Sequence, residues 1–130
     1  MSDLRYTVEL TPPDISAYRA GNTGIDYVTT FTASEPGAHV AVLGLTHGNE
    51  ICGAIAIDKL FRANIRPRRG KLTLGFNNVA AYREFDPRYP IASRYVDEDF
   101  NRLWDAPTLD GRRQSAADAI SRQTCGPGRI

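Results

Sequence analysis

Two short, unbroken apolar runs bracket an amphipathic stretch, and that arrangement limits the folds open to this chain more than any other feature. The runs are "HVAVLGL" at 39 to 45 and "KLTLGFNN" at 71 to 78. Continuous apolar text of this length, bounded by turn residues, is the signature of a strand buried on both faces. Both are therefore expected near the centre of a sheet. From 50 to 63, apolar side chains recur at Ile51, Ala54, Ile55, Ile57, Leu60 and Phe61, leaving Asp58, Lys59 and Arg62 for the outer side. That spacing predicts a helix with a broad buried face. Strand, helix and strand in this order predict a βαβ unit with parallel strands and a right-handed crossover. The expected fold class is α/β, with a mixed, largely parallel central sheet flanked by helices.

The remaining text is consistent with one domain. "GIDYVTTFTA" (24 to 33) reads as a strand, and "RYTVELTPPDI" (5 to 15) as a short strand stopped by Pro12 and Pro13. A chain of 130 residues can bury a core without staples. The formal charge of +1 gives no global attraction to nucleic acid or to an anionic membrane, so neither is expected as a partner. Lys59, Arg62, Arg66, Arg68, Arg69 and Lys71 do cluster. They are read as cations at a helix C-terminus followed by a solvated turn at Pro67 and Gly70. Cys52 and Cys125 form no metal or redox spacing, and there is no signal-peptide pattern, so a cytoplasmic protein is expected.

The first chemical signal is "THGNE", residues 46 to 50, where the first apolar run ends. A turn there lies at the C-terminal edge of a parallel strand, where open α/β sheets place their ligands. His47 and Glu50, three apart, can converge on one cation, and imidazole with carboxylate suits Zn²⁺. The alternative is a hydrogen-bonded turn histidine beside an ordinary first-turn acid. A phosphate-loop reading fails, because Gly44, Gly48 and Gly53 match neither GxGxxG nor a P-loop.

The second signal is "SRYVDEDFNRLW", residues 93 to 104, with Tyr95, Val96 and Phe100 as candidate anchors. Asn101 and Arg102 supply an amide and a guanidinium fork suited to a carboxylate, and Arg94 can polarise a carbonyl. Asp97 and Asp99 can accept hydrogen bonds that orient a metal-bound histidine or fix an arginine. A surface loop of mutually paired charges is the alternative.

Together "THGNE" and "RYVDEDFNR" resemble the succinylglutamate desuccinylase and aspartoacylase family, zinc-dependent amidohydrolases similar in fold to the zinc carboxypeptidases. The resemblance covers roughly residues 37 to 104. It implies Zn²⁺ held by His47 and Glu50, Arg94 assisting at the scissile carbonyl, and Asn101 with Arg102 binding the carboxylate of a small acylated substrate. Asp99, with Asp97 nearby, would support the metal site. "GFNNVAAYREF" also resembles the family's strand and Asn-Pro-x-Ala segment, with Asn78 and Val79 where Asn and Pro are usual.

The resemblance also implies that residues 1 to 130 are the N-terminal portion of one catalytic domain, with an atypical tail from about residue 105. The family needs a third zinc ligand, a histidine, and a catalytic glutamate further along. No histidine or glutamate follows Arg102, and His39 lies upstream in a structural position. The expected function is a zinc-dependent deacylase present as a fragment, weak or inert alone. A non-catalytic metal- or carboxylate-binding module is the second reading. A fragment that forms a homo-oligomer through an exposed sheet edge is the third.

Overall fold

The computed structural model describes residues 7–109. Its centre is a three-stranded sheet built from β1 (Val28–Thr32), β2 (Glu35–Gly44) and β3 (Arg69–Phe76), in the order β1-β3-β2. Helix α1 (Ile51–Arg62) connects β2 to β3, which run parallel, with Val40 opposite Leu72 and Val42 opposite Leu74. The βαβ unit is thus present. β1 runs antiparallel to β3, with Val28 opposite Gly75, so the sheet is mixed.

Among the described residues, only one of the two apolar runs has a strand on each side. β3 is central and its C-terminal half is buried, whereas β2 lies at the edge of the described sheet and is exposed from Glu35 to Val42. An apolar run reports that a strand can be buried on both faces. Which strand receives neighbours on both sides depends on pairing, and here the crossover carries β3 inward between β1 and β2.

α1 buries Ile51, Ala54 and Ile57, of which Ala54 and Ile57 share a core with Leu45, Leu74 and Phe76, and Leu60 and Phe61 flank that core. The approach is close because Gly44 has no side chain: a Cβ there would lie 2.8 Å from Ile57 Cδ1 and 3.2 Å from the Gly53 carbonyl oxygen. Asp58, expected on the outer side, is buried. The Tyr18 hydroxyl donates to it at 2.6 Å and Arg62 Nε at 2.8 Å, which compensates the carboxylate for lost water. Tyr18 also stacks on Phe61 at 4.2 Å between centroids, clamping the 3₁₀ turn Ser16–Tyr18 onto α1.

The expected strand around residues 5 to 15 does not form in its described part, where the Val8 amide makes one backbone bond to the Pro87 carbonyl. Pro12 and Pro13 carry no N–H for a ladder. The Pro13 carbonyl accepts instead from the Tyr82 hydroxyl, and Ile15 joins the core.

β3 hands over to helix α2 (Val79–Arg83) through Asn78, whose side chain caps the Ala81 amide at 3.1 Å. Val79 is the first helical residue, a position that tolerates proline because its N–H has no intrahelical partner. The departure from the family's Asn-Pro therefore changes little. A final short helix, α3 (Ala106–Leu109), closes the described chain, and the rest of the atypical tail expected from about residue 105 lies outside the described residues. No helix among the described residues is long and apolar enough to cross a membrane.

Candidate functional site

The site grows from the end of β2. Leu45, fully buried, takes the left-handed conformation at φ 60°, unusual for a branched residue, and turns the chain out of the strand. Its carbonyl accepts from the Asn78 amide at 2.8 Å, and that of Gly44 from the Asn77 amide at 2.9 Å. The ends of β2 and β3 are thus tied together below the turn, and Thr46 to Asn49 emerge at the sheet's C-terminal edge.

Gly48 joins the two sequence clusters. Its amide donates to the Arg94 carbonyl at 3.0 Å, and a methyl at its Cα would collide with the backbones of Ala81 and Ser93. Only glycine lets the second segment lie this close to the turn. The Ser93 hydroxyl in turn donates to the Pro90 carbonyl at 3.0 Å, fixing the 3₁₀ turn Pro90–Ser93.

His47 is buried and held on both sides. Its Nδ1 lies 2.7 Å from Glu50 Oε1, and its amide donates to Glu50 Oε2 at 3.1 Å. Its Nε2 lies 2.7 Å from Asp99 Oδ1. The other oxygen of Asp99 accepts from Arg94 Nη2 at 3.3 Å, and Oδ1 also accepts the Asn101 amide at 3.0 Å. The contact with His47, followed by the Asn101 amide and Arg94, holds the Asp99 carboxyl below the usual carboxylate range against the opposing effect of burial.

Of the residues singled out from sequence, His47, Glu50, Asp99 and Arg94 form one connected network. Asn101 and Arg102 lie beside it in the 3₁₀ turn Phe100–Arg102, with exposed side chains. Asp97 is exposed, and its carboxylate accepts the neighbouring Glu98 amide at 2.8 Å. The anchoring differs from expectation. Tyr95 and Val96 are exposed, while Phe100 and Leu103 are buried with Trp104 packed edge-on to Phe100 at 5.5 Å. Leu103 was missed because a single apolar residue after a charged run carries no periodicity. His39 bonds Thr73, which bonds Thr30, both at 2.7 Å, in a structural chain on the sheet.

The donor set fits a cation. Each ring nitrogen of His47 faces a carboxylate oxygen, so a proton on Nε2 shared with Asp99 leaves the Nδ1 side, next to Glu50, as the place where a metal can replace a proton. Among the described residues no group of three His, Cys, Asp or Glu side chains forms a metal set.

Comparison with family models matches residues 36–125 to the succinylglutamate desuccinylase/aspartoacylase catalytic domain. The chain belongs to this family. The match takes in more than half of the chain, including β2 from its second residue, α1, β3 and the whole network around His47. Searches of curated proteins and of solved structures returned no match. As a member of the family, the chain carries sequence of a deacylase-type, hydrolytic catalytic domain over residues 36–125.

Proposed function

We propose that the protein is a zinc-dependent deacylase that hydrolyses the amide or ester bond of a small N-acyl amino acid or similar carboxylate. The observation that carries this reading is the placement of the His47 ring between Glu50 and Asp99. His47 Nδ1 and the Glu50 carboxylate would hold the ion, with Asp99 holding the ring from behind. When bound, zinc supplies Lewis acidity, lowering the pKa of bound water and polarising a carbonyl.

The chain's own residues have distinct tasks. Asp99 accepts from Nε2 and so sets the tautomer and the ring orientation of His47. Arg94, tethered by the same carboxylate, keeps further guanidinium N–H groups to donate to the oxygen of the scissile carbonyl as negative charge develops there. Asn101 and Arg102, exposed beside Asp99, offer an amide and a fork to the substrate carboxylate. Asp97 would brace this segment. On its cysteine usage the protein is assigned to the cytoplasm.

The second reading, a fragment that binds metal or carboxylate without turnover, is favoured by the two-ligand count among the described residues. Zinc content by elemental analysis, read beside deacylation of a panel of N-acyl amino acids, decides between them. Turnover that His47→Ala abolishes establishes the enzyme. Bound zinc without turnover establishes the binding fragment, and a protein that takes up neither zinc nor an acyl amino acid refutes both.

A further inference from the structure

A cavity beside α2 takes no part in the chemistry around His47. It encloses about 370 Å³ between the N-terminal segment and α2, and Ile15, Tyr27, Val79, Tyr82 and Phe85 wall it. That volume falls within the range of small-molecule pockets, roughly 300 to 1,000 Å³. Two hydrogen bonds build it: the Tyr82 hydroxyl donates to the Pro13 carbonyl, and Arg83 Nη2 donates to the Tyr27 hydroxyl at 3.0 Å. Its shape is therefore set by contacts between described segments, and the part from residues 12 to 27 precedes the residues matched to the family.

The charged groups that line it are of opposite sign. Asp14 accepts the Ser16 amide at 2.9 Å, and the Ser16 hydroxyl together with that amide holds its carboxyl below the usual carboxylate range, so it is an anion at neutral pH. Arg83 is a permanent cation whose other N–H groups remain to donate. Among the described residues neither has a partner of opposite charge. Tyr27, buried and held in the left-handed region at φ 63°, accepts from Arg83 and keeps its own O–H as a donor beside the guanidinium. Backbone strain of this kind persists only where the surroundings over-determine it. An anion and a cation, both without counter-charges, on one aromatic-walled cavity match a zwitterion with an apolar body.

We infer that this cavity binds a free α-amino acid with an apolar side chain. Asp14 takes the ammonium, Arg83 and the Tyr27 hydroxyl take the carboxylate, and the apolar side chain lies against the aromatic wall. A ligand with only one of the two charges leaves either Asp14 or Arg83 without its counter-charge, which is how the site tells an amino acid from a simple acid or amine. The inference stands apart from the proposed chemistry, since it uses neither His47 nor zinc. α2 separates the two places: the backbone of Ala81 abuts Gly48, while Val79, Tyr82 and Arg83 line the cavity.

Calorimetric titration of L-phenylalanine into the full 130-residue chain tests it, with a chelator present so that the result does not depend on metal. The expected result is saturable binding of one molecule per chain. Phenylpropionate, which lacks the ammonium, and phenethylamine, which lacks the carboxylate, should each bind at least about tenfold more weakly, because each loses one charged hydrogen-bonded pair. Asp14→Asn should reduce L-phenylalanine to the affinity of phenylpropionate, and Arg83→Gln to that of phenethylamine; both side chains are exposed, so neither change opens the core. His47→Ala should bind as the parent does. No binding at millimolar L-phenylalanine overturns the proposal, as do equal affinities for the three ligands or affinity unchanged in both charge variants. Binding lost in His47→Ala would place the amino acid at the candidate site instead, and likewise overturns it. None of these outcomes bears on zinc uptake or deacylation, so the two readings fail separately.

Discussion

His47 Nε2 and Asp99 Oδ1 lie 2.7 Å apart across 52 positions of sequence, and this contact joins the two halves of the site. Asp99 does three things at once: it accepts from His47, accepts the Asn101 amide and tethers Arg94. Removing it should therefore loosen the proposed metal ligand, His47, and the arginine together. Asp99→Ala is expected to weaken zinc binding about 10- to 100-fold, with Asp99→Asn at the lower end because it keeps one acceptor oxygen. Competition with a chromophoric chelator measures the change, and affinity unchanged in both variants would dissociate Asp99 from the metal site.

Gly48 is the contact point between the turn and the second segment. Gly48→Ala must push apart the backbones of Ala81 and Ser93 and strain the bond to the Arg94 carbonyl. A cost of about 1–3 kcal/mol is expected from overpacking, read as a lower midpoint in urea. The proton shifts of His47 should move as well, because the displaced segment carries Asp99.

The buried Asp58 is compensated by Tyr18 and Arg62. Tyr18→Phe removes one donor while keeping the stack on Phe61, so the loss isolates the hydroxyl: about 1–2 kcal/mol in urea unfolding. The phenol itself should ionise late, because burial first, and then the hydrogen bond and charge of Asp58, push its pKa up. A Tyr18→Phe variant as stable as the parent would show that Asp58 is satisfied by Arg62 alone.

Tyr82 should govern alkaline stability. Burial pushes its pKa from 10.0 up to about 12, with Asp14 and Asp58 adding repulsion. The folded pKa lies above the unfolded one, so this contribution is complete below pH 10 and is lost as pH rises toward about 12. Unfolding midpoints measured from pH 9 upward should fall more steeply for the parent than for Tyr82→Phe once pH exceeds 10. Parallel slopes would refute the shift.

Local patterning decides the elements that are legible in the sequence. The apolar spacing from Ile51 to Phe61 is met by α1, and the three runs named as strands between 24 and 78 become β1, β2 and β3. "GNE" after "HVAVLGL" marked the turn, and the HxxE spacing placed His47 against Glu50 because both lie within one turn of the same loop. Asp58 was misplaced for the opposite reason: its burial depends on Tyr18, 40 positions away, which no helical period can report.

By itself, then, the sequence determined the elements, their βαβ order, the family and the pairing of His47 with Glu50, all of which follow from short-range spacing and motif. Tertiary structure alone decided that β3 lies between β1 and β2 in the described sheet, that Asp58 lies inside, and that Asp99 reaches the far nitrogen of His47. Each of these depends on which surfaces the folded chain brings face to face. Two side chains more than fifty residues apart meet only because Gly48 lets two backbones touch, and that contact exists only once the sheet and α2 have formed.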